Sequence, residues 1–570
     1  MDVSKEPIAM TNAQKHSPAA RIEAWRNLPW KKFQRTVFRL QKRIYRAASR
    51  GDKRTVRNLQ RLLLCSSAAR HLAVRQVTQE NQGKKTPGVD GVASLPPSKR
   101  VALAEDLRDL GRKPMPVRRL YIPKTNGEKR PLGIPTMRDR AMQALVKGVL
   151  EPQWEAQFEA NSYGFRPGRS AHDAIGAIYL SINQTPKYVL DADIEHCFDR
   201  IDHRYLLDKL DTFPRLRRLV RGWLKARIVD RGEWLFPEAG TPQGGVLSPL
   251  LANVALHGLE EALVGSIPRR KDGLNWSPTV VRYADDFVIL HRDLDTLSQL
   301  KQRAQRWLGR VGLRLKPNKT HLTHTLRPHN GQVGFDFLGF NVRQHRVGPY
   351  RSGKDAQGNR LGFKTIITPS KAAQRRHRRR LAEIVKKYRG AHQEGLRKEL
   401  QAQISGWCQY YSHVVSRKVF ACLERYLFWL LKRWARHRHP TKGWHWRVKR
   451  YWTIQDRRWY FGKARFLKTH IDFKIKRHAK VQGQRSPYDG DWTYWGYRLR
   501  AYAGVSRIKG LLLKKQTGRC DCCGLYFRVE DLLEVHHRDG ERKNNRLANL
   551  ALLHASCHHA RHAVPMTRAA

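Results

Sequence analysis

The chain has 570 residues, and 111 Lys plus Arg stand against 48 Asp plus Glu, a formal net charge of +63. That length calls for several domains, and 40% hydrophobic content is enough to build their cores. A surplus of this size repels itself unless a polyanion neutralises it, and 16 Trp and 19 Tyr add flat faces for stacking on unpaired bases, so nucleic acid is the expected partner. The positive charge runs along the whole chain rather than in one amphipathic segment, and no apolar run is long enough to span a bilayer, so no membrane role is expected. Residues 1–6 lack the basic-then-apolar pattern of a signal peptide. Four of the eight Cys fall within 520–557, which argues for a reduced compartment and a local metal site rather than a disulfide framework.

In chain order, residues 24–79 read as helices, with Val56, Leu59, Leu62 and Leu63 at helical spacing. Gly and Pro break that pattern at 81–91, a loop whose Lys84 and Lys85 could touch phosphate. Two strand-like runs, 120–124 and 129–132, flank Asn126-Gly127, a strong hairpin signal that sets Lys124 and Arg130 on neighbouring strands, where they could clamp a triphosphate. A helix is expected from Arg138 to Leu150. Arg166 and Arg169 lie in a Gly/Pro loop before another helix, a setting suited to phosphate or a template backbone.

Residues 187–199 read as a strand ending in alternating acids, Asp191, Asp193 and Glu195, followed by a helix. The Gly-rich run 240–253 then turns into a helix, and its glycines allow close backbone approach to a substrate. Residues 280–290 read as strand, tight turn and strand, with Asp285 and Asp286 at the tip. Adjacent carboxylates repel unless a cation joins them, and Mg²⁺ favours carboxylate oxygens shared with substrate phosphates. A lone Asp pair is also ordinary turn chemistry; the third acid upstream, with Asp193 at the strand end and Asp191 or Glu195 as alternatives, favours the metal reading.

This order of segments resembles the fingers and palm of a reverse transcriptase, and in particular the group II intron-encoded kind. The resemblance rests on the Lys124/Arg130 hairpin, residues 162–174, the Asp193 strand, residues 240–253 and Tyr283-Ala284-Asp285-Asp286, with 81–91 similar to the family's additional N-terminal block. It implies that Asp193, Asp285 and Asp286 hold two Mg²⁺, one for the primer 3′-hydroxyl and one for the leaving pyrophosphate. It further implies that Lys124 and Arg130 bind the dNTP triphosphate, that Phe198 packs under the sugar and excludes a 2′-hydroxyl, and that Gln243 sits near the incoming nucleotide. Glu195-His196 stand where many relatives carry Lys-Gly.

Beyond Phe340 the chain turns helical and very basic. Leu381, Ile384, Val385 and Tyr388 form one apolar face, and Val419, Phe420, Leu423, Tyr426, Leu427, Leu430, Leu431 and Trp434 form another, with Arg and Lys opposite as an RNA-binding surface. Residues 404–411 and 433–440 resemble the family's thumb or maturase domain, which grips intron RNA for splicing. Residues 455–512 are basic, aromatic and poorly patterned, where the family places a DNA-binding region.

Near the C-terminus, Cys520, Cys523, His554 and Cys557 form two ligand pairs, each with two residues between, suited to a closed tetrahedral Zn²⁺ site. Cys522 competes for the first pair, and His554 stands where many relatives have Cys. The enclosed Glu534-Val-His536-His537 run resembles an HNH endonuclease. That likeness makes His537 the general base, His536 and His558 ligands of a catalytic divalent cation, and Asn549 the residue that orients the base, with His562 a further ligand candidate.

The expected fold class is multidomain α+β: right-hand fingers and palm with an antiparallel palm sheet and helices, an α-helical thumb, and a small ββα-metal zinc domain. The expected divisions are 1–80 (N-terminal helices), 81–350 (fingers and palm), 365–454 (thumb/maturase), 455–512 (DNA-binding) and 513–570 (HNH). The resemblance implies a multifunctional enzyme with intron RNA and target DNA as partners, working in the bacterial cytoplasm and at the nucleoid when it acts on DNA. The rivals are a non-catalytic splicing factor with an unused palm and a reverse transcriptase of another lineage.

Overall fold

The computed structural model describes residues 18–123, 127–355, 357–455, 458–463, 465–501, 505–527, 531–541 and 544–562. It opens with helices Pro18–Arg26, Trp30–Ser49, Lys53–Cys65 and Ser67–Arg75, the last running into a single wide turn, Gln76–Glu80. Their apolar stripes bury Ile44, Val56, Leu59 and Leu63 against the long helix Met137–Glu155, while Leu62 is 56% exposed. Leu62 fits the helical spacing, but it extends the stripe further round the helix than its neighbours cover.

The fingers hairpin pairs Val117–Pro123 with Lys129–Ile134, and Val117 and Arg118 also pair in parallel with Ile228 and Val229. The central palm sheet runs His321–His324, Tyr188–Asp193, Asp286–His291, Thr279–Tyr283 in spatial order, and all its pairings are antiparallel. Its two inner strands are β-branched and aliphatic on both faces because helices cover both, with Leu294–Arg310 on one side and Ala171–Ile182 on the other. Both strands carry their acids at the end where that cover stops.

A three-stranded sheet, Phe335–Phe337, Phe340–Arg346 and Phe363–Pro369, leads to the thumb helices Lys371–Lys387, Gln393–Tyr411 and Arg417–Arg438. These bury the expected faces through Leu381, Ile384, Phe420, Leu423, Leu427 and Trp434. The poorly patterned stretch is fastened to the palm through one buried carboxylate. Asp173, in the capping box of Ala171–Ile182, accepts from Val481 N at 2.7 Å and Arg498 Nη2 at 3.0 Å, and His478 Nε2 lies 3.0 Å away. The C-terminal module is a helix, Arg507–Lys515, then strands Leu533–His537 and Leu550–His554 paired antiparallel, then helix Ala555–His562.

Candidate functional site

Register places the palm acids. Tyr283 pairs with Asp286, leaving Ala284 and Asp285 as a two-residue turn, and Asp286 pairs in turn with Asp193 across the central strands. Ile194 N donates to the Asp285 carbonyl at 3.2 Å, so the third acid is tied to the same strand end. Ala284 holds φ +59°, unusual for a residue with a side chain. The turn is kept there by Gly164, where any Cβ would sit 2.4 Å from Ala284 N, and by Asn253, which donates to the Gly164 carbonyl at 2.8 Å and accepts from buried Arg282 at 3.1 Å. The glycine and asparagine of two separate sequence blocks thus shape one aspartate turn.

The acids repel one another. Burial pushes the Asp286 carboxyl up to about 7, with Asp285 and Asp193 adding to it. Asp285 is raised by burial and by Asp193. Asp191, two residues before Asp193 on the same face of the strand, is also raised to about 7, by burial first and then by Asp286. Glu195 turns away to Arg200, at 3.2 Å, and Arg314. Between the two alternatives to Asp193, then, Asp191 lies within the acid cluster and Glu195 outside it.

Lys319 answers the cluster directly: it donates to the Asp193 carboxylate from the turn Pro317–Lys319, which is pinned by Lys316 N on the Asp193 carbonyl at 2.9 Å. Sequence reading gave Lys319 no role, and its only signal was a Lys-Pro-Asn-Lys turn of unassigned purpose. Burial raises the proton affinity of Asp285 and Asp286, and a lysine is already drawn onto Asp193; carboxylates with this demand for positive charge suit a hard divalent cation.

Beside the acids, Phe198 is half-buried with its ring edge-on to Phe165, centroids 6.1 Å apart. Gln243 Nε2 donates to both Asp199 oxygens, at 3.1 and 3.2 Å. Gly240 lies against the Asp199 backbone, where a Cβ would come within 2.6 Å. Arg130 is exposed on its strand, opposite Ile122, and its charge reaches Asp285. Lys124 lies outside the described residues.

Arg166 and Arg169 require a correction. Arg166 is buried against Glu155 at 2.9 Å and donates to the Glu159 and Ser162 carbonyls; Arg169 donates to the Ala160, Gly483 and Arg485 carbonyls. Their donors point inward, so these arginines brace the loop and anchor the C-terminal stretch rather than present a phosphate site.

In the C-terminal module, one ligand atom each from Cys520, Cys523, His554 and Cys557 lies within 4.8 Å of the others, and Cys522 is exposed outside that set. His554 presents Nδ1 to Cys523 Sγ at 3.4 Å while its Nε2 meets Asp531 at 3.3 Å, an outer carboxylate of the kind that orients a ligating imidazole. Three soft sulfurs and one imidazole at this spacing fit tetrahedral Zn²⁺.

A second cluster joins His536, His558 and His562 within the same limit. Glu534 holds His558 Nδ1 at 2.7 Å, His562 Nε2 faces His558 Nε2 at 3.2 Å, and His536 Nδ1 is buried with no hydrogen-bond partner among the described residues. Burial lowers the His536 and His558 pKa values, favouring the neutral rings that bind metal. The expected ligand pair thus comes together, with His562 as a third. His537 Nε2 lies 3.4 Å from Asn545 Oδ1, while Asn549 donates to Asp539 Oδ1 at 2.8 Å and to the Asn544 carbonyl at 2.9 Å. Asn549 is bonded to the loop after His537 and not to the imidazole itself.

The module also reaches across the chain. Buried Arg75, stacked over Trp30 and paired with Glu80 at 3.0 Å, directs Nη2 to Cys557 Sγ at 3.7 Å. Tyr526 N donates to Gln34 Oε1 at 3.0 Å, and Leu525 is buried in the core of the N-terminal helices.

No helix among the described residues is long and apolar enough to cross a membrane. Residues 122–342 match the reverse transcriptase (RNA-dependent DNA polymerase) family, and 25–107 the N-terminal domain of reverse transcriptase. Residues 374–452 match the group II intron maturase-specific domain and 520–563 the HNH endonuclease family. Protein YkfC of Escherichia coli is 33% identical over 326 residues, covering 50% of this chain and 84% of that protein. The group II intron-encoded protein LtrA of Lactococcus lactis is 30% identical over 351 residues, covering 51% of this chain and 57% of LtrA. Maturase-like protein 1 of Euglena gracilis is 30% identical over 329 residues, covering 56% of this chain and 66% of it. A palm with its acids at one strand end, a maturase-type helical domain and a Cys/His-framed ββα module thus follow one another in a single chain, which belongs to the group II intron-encoded reverse transcriptase/maturases that carry a C-terminal HNH endonuclease domain.

Proposed function

We propose that the chain is an RNA-directed DNA polymerase that also binds its group II intron RNA to assist splicing and nicks target DNA, so that the intron is copied into a new site. The observation that carries this reading is the pairing of Asp193 with Asp286, Asp285 standing in the adjoining turn. Asp193, Asp285 and Asp286 would hold Mg²⁺, which when bound supplies the positive charge that lowers the barrier to phosphoryl transfer from a dNTP. Lys319, which donates to the Asp193 carboxylate, would be the side chain that gives way on that oxygen to a bound cation. Phe198, propped by Phe165, lies under the incoming sugar, Gln243 is held by Asp199 beside the base, and Arg130 and Lys124 take the triphosphate.

The basic thumb faces bind the intron RNA, and the basic, aromatic stretch of residues 455–512 meets the target DNA. In the C-terminal module Zn²⁺ would be held by Cys520, Cys523, His554 and Cys557 as a structural ion. His536 and His558, with His562, would hold the divalent cation that stabilises charge on the scissile phosphate. His537 accepts the proton of the attacking water, with Asn549 fixing the loop that carries it. On this reading the protein works in the bacterial cytoplasm, at the nucleoid when it acts on DNA.

Purified protein with Mg²⁺ is expected to extend a DNA primer on an RNA template. Asp285→Ala is expected to lower extension at least 10³-fold while RNA binding is unchanged. Unchanged synthesis in that variant would overturn the polymerase site.

A further inference from the structure

A cleft of about 960 Å³ opens between the helix Trp30–Ser49, the helix Met137–Glu155, residues 487–499 and the zinc module. Residues 63–76 and 167–168 complete its walls, so segments far apart in sequence meet there. Two cross-chain contacts tie the zinc module to the N-terminal helices: Gln34 with Tyr526, and Arg75 with Cys557.

The lining carries one sign of charge. Lys31, Arg35 and Lys514 are exposed cations along it, whereas Glu151, the one acid in its lining among the described residues, already accepts from Tyr488 Oη at 2.8 Å and meets Lys147 Nζ at 3.4 Å. Two tyrosines share the lining with these cations. Tyr497 is 59% exposed, and the Tyr526 ring is held in place by Arg519, whose guanidinium sits 4.2 Å over it and donates to its hydroxyl at 2.6 Å. Cations that can follow a backbone, with aromatic faces beside them for stacking, are the combination that holds unpaired nucleotides. The volume suits a ligand of a few nucleotides and is too small for a duplex.

We propose that this cleft is a binding site for an unpaired segment of DNA, its bases against Tyr497 and Tyr526 and its phosphates against Arg35, Lys31 and Lys514. DNA is favoured over RNA because the cleft is continuous with the module that carries the His536–His558–His562 cluster, and in this the inference rests on the nuclease reading. An unpaired strand is what opening a target duplex beside that module releases. The contact is ionic and sequence-tolerant, so occupancy weakens steeply with salt.

The test uses the full-length protein, without added divalent cation, and a 12-nucleotide single-stranded DNA bearing 5-iododeoxyuridine. Irradiation followed by peptide mass spectrometry is expected to place an adduct on Tyr497 or Tyr526. The adduct is expected to fall at least tenfold in the double variant Arg35→Glu/Lys514→Glu, whose zinc content and primer extension report on its fold. Unlabelled DNA is expected to compete better than RNA of the same sequence. Adducts confined to other surfaces of the wild-type protein would overturn the assignment without reference to any variant. So would an adduct indifferent to charge reversal, or stronger competition by RNA. The adduct reads occupancy without cleavage, so its absence leaves the nuclease reading standing, and loss of nicking in His537→Ala leaves the adduct standing.

Discussion

In the palm, Asp193 and Asp286 face each other across two hydrogen-bonded strands and Asp285 occupies the turn just before Asp286, so the acids are placed by sheet register and by the packing of Gly164 on that turn. In the C-terminal module, four soft ligands close on one another and the cluster then leans on a helix far away, through Arg75 and Cys557. The palm cluster is a store of repulsion: the Asp285 and Asp286 carboxyls are pushed up and a lysine is drawn onto Asp193. The Cys/His cluster is the reverse, a compact group of thiols and imidazole suited to a soft or borderline ion, with a distant cation against one of its sulfurs. The first kind of site should be sensitive to sub-ångström placement and to pH, the second to its docking partner.

Removal of Asp285 is the largest effect expected. Next is Gly164→Ala, which leaves every acid in place but drives a methyl into the aspartate turn, with the ideal Cβ 2.4 Å from Ala284 N. A shift of about 1 Å at a reacting centre costs about 10²-fold, so primer extension should fall by that order while RNA affinity stays the same. Extension at the wild-type rate would show that register does not position the turn as described.

Phe198→Ala should act on choice rather than speed. Incorporation of ribonucleotides relative to deoxyribonucleotides, measured by single-nucleotide insertion, should rise about tenfold or more as the floor under the sugar is removed. An unchanged ratio would take Phe198 out of the nucleotide site.

The docking contact gives a smaller, physically distinct effect. Partners outside a metal's ligand set typically contribute 10–100-fold in affinity, so Arg75→Ala should speed zinc release to a chromogenic chelator about tenfold. Hydrogen exchange should rise in residues 67–80 as well as in the module, because the contact is shared. Exchange confined to the module would mean that the N-terminal helices do not feel it.

The smallest effect is on stability against pH. Asp286 and Asp191 titrate near 7 in the folded chain, against about 4 for an ordinary carboxyl. Between those values the folded state binds more protons than the unfolded one, so stability falls as pH rises. Without added magnesium, the contribution of these groups is fully present below about pH 4 and lost as pH passes 7, where Mg²⁺ should restore it. Asp286→Asn should flatten the slope in a melting series; an unaltered slope would contradict the repulsion described.

Much of the palm was legible because strand alternation and a two-residue turn leave few ways to arrange Asp193, Asp285 and Asp286. The grouping of Cys520, Cys523, His554 and Cys557 was legible from paired spacing, and burial separated Cys523 from exposed Cys522. Arg166 and Arg169 misled because a basic loop before a helix resembles an anion site until the inward carbonyls and Glu155 are seen. Lys319 and Arg75 gave no signal, since their partners lie 126 and 482 residues away. Pattern reports what a segment can do, and long-range partners report what it is used for. Leu62 makes the same point in the helices, as periodicity places it on the stripe and only the neighbouring helix decides that the stripe ends before it.

The most direct test loads the palm with Fe²⁺ in place of Mg²⁺ and maps backbone cleavage by the hydroxyl radicals it generates with ascorbate. Cuts are expected close to both residue 193 and residue 285, and both should disappear together in Asp193→Asn. Cleavage at one of these segments without the other, or cuts that survive in Asp193→Asn, would contradict a shared ion between the two strands.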